Sequence, residues 1–265
     1  MGRANRGRML VLSDVHFALD HLRRVVALGE PLIILGDLVN LTDYRTGEGA
    51  VAEVLGIDFA RASASARGSG DYEGMRRLWG EVVGSRTDEV RAAIGSAIDS
   101  QYTAVAEALD GGTGFVIHGN VDRPASLKRS LPDGFEYVHG EVREIDGLMF
   151  GFVGGGAPTP IEAEGEVSDD TMKMLLEGMG EVDVLCTHVP PALPPLRTDV
   201  VTGRAERSSV PILDYLRKRQ PLLHLFGDVH QPQAVIWRIG RTKCRNVGYF
   251  RATGRPLRLE DAGIG

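Results

Sequence analysis

The stretch VLSDVHFA (residues 11–18) leads from an apolar segment directly into a carboxylate and an imidazole, Asp14 and His16. Near the other end of the chain, LFGDVHQP (residues 225–232) repeats the pattern, with Asp-Val-His at 228–230. A short apolar run bounded by polar residues is typical of a buried strand. Two such strands that end in the same polar tripeptide indicate a shared role for the strand ends.

The composition is typical of a soluble globular protein. The chain has 265 residues, of which 43% are hydrophobic and 25% charged, and this length allows one large α/β domain or two small ones. The net charge of −6 and the pI near 5.7 argue against a protein that binds nucleic acid through bulk positive charge. Nucleic acid is therefore not the partner we expect.

Cysteine content and the N-terminal sequence bear on the compartment. Cys186 and Cys244 lie far apart and match neither a disulfide framework nor a zinc-finger spacing. The N-terminal apolar run, MLVL, is too short for a signal peptide or a membrane span. We expect a cytoplasmic protein with reduced thiols and no membrane partner.

The apolar runs alternate with helical patterns, which predicts βαβ units. None of these runs shows polar alternation, as expected for strands covered on both faces. The predicted strands are MLVL, PLIIL, GFVI, VDVLC and PLLHLF. Helices are predicted at 19–28, 168–180 and 210–220, the second with a Ser N-cap and a terminal glycine.

Two kinds of segment interrupt this alternation. Residues 44–110 are rich in Ala, Glu and Arg, and 87–109 has the pattern of a long helix. We interpret 44–110 as a helical insertion, either overhanging a site or purely structural. Residues 135–153 and 234–250 are predicted to form antiparallel hairpins with glycine turns.

Polar donors follow each of the five apolar runs, and ligands bind beyond the carboxyl ends of parallel strands. Taken singly, a strand-end Asp is usually a turn or helix cap, and a single His is usually a satisfied core residue. Five strand ends that all present oxygen or imidazole donors instead favour a metal site. The donors are Asp14, His16, Asp37, Asn120, His188, Asp228 and His230.

This donor set also predicts which metals bind and how many. Carboxylate, amide and imidazole groups without a thiolate suit Mn²⁺ or Fe, with Zn²⁺ as the alternative, better than Ca²⁺. Seven donors exceed the needs of one ion. Two divalent ions about 3.5–4 Å apart with a shared carboxylate would use all of them, and such pairs catalyse displacement at phosphorus.

At these residues the chain resembles the calcineurin-like metallophosphoesterases, along nearly its whole length. The motifs occur in the family's order as DVH (14–16), GDLVN (36–40), GNVD (119–122), THVPP (187–191) and GDVH (227–230). The resemblance implies a four-layer α/β/β/α sandwich of two mixed sheets flanked by helices. It also implies a single domain, residues 1–265, with a helical insertion at about 44–110.

The resemblance assigns a role to each donor. It implies that Asp37 bridges the two ions and that Asn40 orients a ligand or a bound water. It also implies catalytic roles for Asn120 and Asp122. The first ion would bind Asp14, His16 and His230, and the second Asn120 and His188, with Asp228 as a further ligand.

The sequence departs from the family pattern at two positions. Val121 replaces a His that contacts the phosphate and can protonate the leaving group, and the resemblance implies that residue 121 faces the phosphate. His118 could substitute, although packing at its strand end is the simpler interpretation. Asp228 replaces the first His of the family's G-H-x-H, and a carboxylate there favours Mn²⁺ or Fe over Zn²⁺.

Two hypotheses follow. The first is a dinuclear metal-dependent phosphoesterase in which a metal-bridging hydroxide attacks a small phosphorylated substrate. Because the usual acid is missing, phosphodiester or nucleotide-type substrates with good leaving groups are favoured. The second is a catalytically weak scaffold or interaction protein that keeps the fold, which Val121 and Asp228 would suit. A nuclease would need a basic groove, and the sequence carries no signal for oligomeric state.

Overall fold

Two facing β-sheets form the centre of the molecule in the computed structural model, which describes residues 8–160 and 162–263. The five-stranded first sheet contains β1 (Leu10–Leu12), β2 (Leu32–Ile34), β3 (Gly114–Val116), β4 (Phe135–Tyr137) and β11 (Leu257–Arg258). Their spatial order is β11-β1-β2-β3-β4. Because β11 is antiparallel to β1 and the other neighbours are parallel, this sheet is mixed.

The second sheet has six strands and is also mixed. It contains β5 (Glu141–Ile145), β6 (Leu148–Val153), β7 (Val184–Thr187), β8 (Leu223–Phe226), β9 (Ile236–Ile239) and β10 (Thr242–Asn246). Their spatial order is β5-β6-β7-β8-β10-β9. The two edge pairs are antiparallel, and β6, β7, β8 and β10 run parallel.

Helices cover the outer face of each sheet. They are α1 (Leu19–Val26), α2 (Ala50–Leu55), α3 (Ile57–Ser69), α4 (Tyr72–Val83), α5 (Thr87–Leu109), α6 (Pro124–Ser130), α7 (Asp169–Met179), α8 (Pro194–Arg197), α9 (Val210–Arg219) and α10 (Phe250–Thr253). Side chains of α1, α2, α3, α5 and α6 pack on the first sheet, and those of α7, α8 and α9 on the second. The predicted α/β/β/α sandwich is therefore confirmed.

The apolar runs lack polar alternation because each strand faces two cores. In β1, Leu10 and Leu12 pack against the helices, whereas Val11 packs between the sheets. In β2, Ile34 packs against the helices and Ile33 packs between the sheets. Burying each such side chain stabilises the fold by about 1.5–3 kcal/mol.

The predicted elements agree with the structure except at one strand. All five predicted strands and all three predicted helices are present, and Ser168 caps α7 by accepting from the Thr171 N–H. The hairpin predicted at 135–153 is wrong in its first part. Only β5 and β6 form a hairpin, whereas Phe135–Tyr137 pairs in parallel with β3 in the other sheet. The reason is the helix α6, which carries the chain from β3 to β4 as a crossover.

The stretch 44–110 consists mainly of the helices α2 to α5, as its composition predicted. Its status as an insertion within a single domain spanning 1–265 stays a prediction. None of the described helices combines the length and the apolar character needed to cross a membrane.

The carboxyl ends of the parallel strands in both sheets meet at one edge of the sandwich. Glycines permit the close approach. A Cβ on Gly36 (φ 97°) would collide with the backbone of Gly119, and a Cβ on Gly119 would collide with the Asp37 carboxylate. Across the two sheets, the Nδ1–H of His188 donates to the Leu35 carbonyl at 2.7 Å. The predicted donors therefore come from two sheets rather than from one open sheet.

Candidate metal centre

The structure brings all seven predicted ligands into one cluster. Four of them have a left-handed backbone, with φ of 59° at Asp14, 41° at His16, 56° at Asp37 and 65° at Asp228. Asp and His tolerate this conformation better than most residues, and such outliers gather at functional sites.

Asp14, His16 and His230 form the first group of donors. Asp14 Oδ1 lies 4.0 Å from Nε2 of His16 and 3.6 Å from Nε2 of His230. These separations are too long for good hydrogen bonds. They suit ligands that each lie about 2.0–2.2 Å from a common ion.

Asn120, His188 and Asp228 form the second group. His188 Nε2 lies 3.2 Å from Asn120 Oδ1 and 3.7 Å from Asp228 Oδ1. Because the Nδ1–H of His188 donates to Leu35, its Nε2 presents a lone pair to the cluster in the neutral ring. A hydrogen bond on the far ring nitrogen is the usual support of a metal-binding histidine.

Asp37 lies between the two groups. Its Oδ2 is 3.6 Å from Nε2 of His16 and 3.5 Å from Nε2 of His188. Its other oxygen accepts from the backbone N–H of Val121 at 3.0 Å, which holds the carboxylate in place. This is the position that a bridging ligand requires, although the bridging role itself stays a prediction.

Several polar atoms of the cluster lack a good hydrogen-bond partner. Among the described residues, Asp14 Oδ1 and His16 Nε2 are buried and make no hydrogen bond. As placed, the side-chain oxygen of Asn120 faces the acceptors Asp37 and Asp228 as well as His188. With its amide turned over, Asn120 would donate to all three. Buried unsatisfied groups cost about 1–3 kcal/mol each. A cation would satisfy all of them, and the donor set therefore fits divalent metal.

Burial and the charges in the cluster raise the pKa values of some of its members and lower those of others. Burial raises the pKa of Asp228 to about 7. Burial alone would lower the pKa of His188, but the Asp37 and Asp228 carboxylates raise it well above its ordinary value. Burial opposes ionisation of Asp37, yet the neighbouring His188 holds its pKa below the usual range. The Asp14 carboxylate likewise outweighs burial and raises the pKa of His230. Without metal, protons therefore concentrate on His188, His230 and Asp228.

Asp122 lies behind the cluster. Its carboxylate accepts from the backbone N–H groups of Asp37 at 2.7 Å, Leu38 at 3.0 Å and Gly119 at 2.8 Å, and from the Tyr102 hydroxyl at 3.2 Å. Burial and the nearby Asp37 raise its pKa to about 6. These contacts favour a positioning role for Asp122, and direct catalysis by it stays a prediction.

Asn40 lies at the side of the cluster. Its Nδ2 donates to the Glu48 carbonyl at 3.2 Å, and its backbone exchanges two hydrogen bonds with the Gln101 side chain. Its role in orienting a ligand or a water stays a prediction. Tyr102 and Gln101 were missed by sequence reasoning because nothing in the pattern of α5 distinguishes them from other inward-facing residues.

The structure supports the expectation at position 118, whereas the one at position 121 stays a prediction. Val121 is half-buried and packs against the apolar cluster beneath the helices, and this contact does not test whether it faces a phosphate. His118 is buried, and its Nδ1 lies 2.8 Å from the Tyr137 hydroxyl. It packs at its strand end, as the simpler interpretation held.

Known proteins share little sequence similarity with this chain. No family model matches the chain, and no curated protein matches it. It is similar to the crystal structure of TT1561 of Thermus thermophilus, at 15% identity over 92% of this chain and 89% of that chain, with a TM-score of 0.47. It is also similar to a novel archaeal phosphodiesterase, at 14% identity over 96% of this chain and 94% of that chain, with a TM-score of 0.39.

Neither of these similarities assigns a function to this chain. The two mixed sheets, the flanking helices and the convergent donors are those that the resemblance to calcineurin-like metallophosphoesterases implied.

Proposed function

We propose that this protein is a metal-dependent phosphoesterase that prefers phosphodiester or nucleotide-type substrates. The observation that carries the proposal is the convergence of seven oxygen and imidazole donors at the facing ends of two sheets, with buried unpaired atoms that a cation would satisfy. We propose two ions, with Mn²⁺ or Fe preferred over Zn²⁺ because the set holds more oxygen than nitrogen donors.

The seven proposed ligands would bind the two ions in two groups that share Asp37. Divalent ions at such a centre polarise a phosphoryl oxygen and supply a nucleophile at neutral pH by lowering the pKa of water. Asp37 lies where it would contact both ions. The first would be held by Asp14, His16 and His230, and the second by Asn120, His188 and Asp228.

Other groups hold this arrangement or bind substrate. When Asn120 binds metal through Oδ1, its Nδ2 is free to donate to a phosphoryl oxygen. Asp122 fixes the backbone at Asp37 and Gly119, so that the Asp37 carboxylate keeps its direction. Because residue 121 is a valine, the leaving group receives no proton from that position, and substrates with good leaving groups react best.

A cavity beside His16 supports the preference for diesters. It has a volume of about 550 Å³, in the range of ordinary ligand pockets. Asn40, Gln101, Glu53 and Arg251 contribute to its wall. A monoester needs room for one organic group only, whereas a diester needs a second space next to the centre, and this open hollow lies beside His16.

The test compares metal binding with turnover. Protein freed of metal with a chelator is reconstituted with Mn²⁺, and hydrolysis of bis-p-nitrophenyl phosphate and p-nitrophenyl phosphate is measured, with Asp37→Asn as the control. We expect Mn²⁺-dependent hydrolysis, faster on the diester and lost in the variant. Protein that binds no transition metal would contradict the proposal.

A scaffold without catalysis is the second candidate. Val121 favours it, because its side chain packs in an apolar cluster and offers no acid to a leaving group. Under this alternative the reconstituted protein would bind metal and hydrolyse neither ester.

A further inference from the structure

One short segment contacts both of the strand-end loops that carry the ligands of the first ion. Residues 246–251, here called the closing segment, run from the end of β10 to the start of α10. The first loop is residues 13–17, and the second loop is residues 227–230. The segment has the sequence NVGYFR.

The closing segment is bonded to the backbone of the first loop. The N–H of Phe250 donates to the Ser13 carbonyl at 3.1 Å, and the N–H of Arg251 donates to the Asp14 carbonyl at 3.0 Å. The Arg251 guanidinium also donates to the His16 carbonyl at 2.6 Å. Both first-loop donors therefore have their main chain fixed by this segment.

The same segment holds the second loop through Asn246. Its Nδ2 donates to the carbonyls of Val229 at 2.9 Å and Gly227 at 3.4 Å. The N–H of Gly248 donates back to the Asn246 side-chain oxygen at 2.8 Å. Both the oxygen and the nitrogen of the Asn246 side-chain amide are therefore hydrogen-bonded, and the amide fixes the backbone on both sides of Asp228.

The side chain of Tyr249 acts on the imidazole rather than on the backbone. Its ring lies flat on that of His230, with 3.7 Å between centroids and an interplanar angle of 3°. Both rings meet His16 edge-on, at 6.0 Å from Tyr249 and 5.5 Å from His230. The His230 side chain is 34% exposed, so it would otherwise be free to rotate towards solvent.

We propose that Tyr249 is a positioning residue for the first metal ion: its ring holds the His230 imidazole in the orientation that directs Nε2 at Asp14. The inference rests on the metal site of the proposed function. The stack uses the face of the ring, so phenylalanine should replace tyrosine, whereas alanine or leucine should not. The second group of ligands makes no use of this stack.

The experiment measures Mn²⁺ binding by isothermal titration and electron paramagnetic resonance on chelator-treated protein. Wild type, Tyr249→Ala, Tyr249→Leu and Tyr249→Phe are compared with His230→Ala and Asp228→Ala, which define the first-ion and second-ion steps. Loss of a group that orients a metal ligand typically lowers metal affinity by about 10–100-fold. We expect that loss of affinity in Tyr249→Ala and Tyr249→Leu, and only at the first-ion step, which His230→Ala removes. Tyr249→Phe should bind both ions as the wild type does.

Tyr215→Leu is the matched control, because Tyr215 lies on α9 and its hydroxyl donates to the Gly180 carbonyl, away from both loops. It should lower the melting temperature without changing either binding step. Two wild-type steps in both Tyr249→Ala and Tyr249→Leu would overturn the inference and leave the proposed function standing. Equal weakening in Tyr249→Phe would also overturn it. A wild-type protein that binds no ion would contradict the proposed function itself.

Discussion

The first and second loops share the tripeptide Asp-Val-His but have different surroundings. Asp14 is 1% exposed, and its Oδ2 accepts from the backbone N–H of Asp228 at 3.1 Å. The Asp228 side chain is 22% exposed and turns towards His188 instead. Under the proposed assignment both donors of the first loop would bind the first ion, whereas Asp228 of the second loop would bind the second ion and His230 the first.

The two carboxylates of these loops also differ in their pKa values. Burial alone would raise the pKa of Asp14, but the neighbouring His230 imidazole lowers it below the usual range. Burial raises the pKa of Asp228 to about 7, and His188 offsets that only in part. The comparison teaches that a local motif supplies donor types, whereas the neighbours decide which ion each donor faces and whether it carries a proton.

Asp37 lies between the two loops, and its removal should have the largest effect. Asp37→Asn keeps the side-chain shape and tolerates the left-handed backbone, but it removes the charge that both groups of ligands face. We expect weak binding of both ions. Activity should fall by more than the roughly 10²–10³-fold that loss of one electrostatic stabiliser costs. Metal titration and kcat measurement on folded protein check this, and near wild-type turnover would refute the site assignment.

Substitutions of the two loop carboxylates should weaken different ions. Asp14→Asn should weaken the first ion and Asp228→Asn the second, each by at least about 10-fold, since even supporting groups contribute that much. Asp228→His should in addition shift preference from Mn²⁺ towards Zn²⁺. Competition titrations with the two metals measure the shift. Equal effects of both Asn variants on both ions would remove the distinction between the loops.

Metal affinity should fall as the pH is lowered from 8 to 6. Without metal, the raised pKa values of His188 and Asp228 leave both groups protonated in the lower part of this range. An incoming ion has to displace those protons, at about tenfold in affinity per pH unit for each proton. Asp228→Asn should flatten the dependence, whereas Asp14, with its lowered pKa, stays ionised throughout. Titrations at several pH values decide this, and an unchanged slope in Asp228→Asn would contradict it.

The smallest effect is expected at position 121. Val121→His puts an imidazole where the side chain packs against apolar residues, so the new ring should not reach a leaving group. The ratio of kcat/KM for an alkyl phosphodiester to that for its nitrophenyl counterpart should stay at the wild-type value. A selective gain on the alkyl ester would show that residue 121 does face the phosphate.

Much of the fold followed from short-range signals. Apolar runs without alternation predicted buried strands, and Ser168 and Gly180 marked the ends of α7. The error at Phe135–Tyr137 arose because three extended residues carry no information about which sheet they join. The crossover through α6 settled that, and it depends on packing rather than on local pattern.

The sequence by itself determined the donor types and their places at strand ends, because both follow from residue chemistry and local periodicity. Only the tertiary structure decided that Asp14 bonds to the backbone of Asp228, 214 residues away. It also decided that Tyr249 lies flat on His230 and that Asp122 is bonded behind the site. Such contacts join segments from distant parts of the chain, and their geometry exists only once both sheets have packed together.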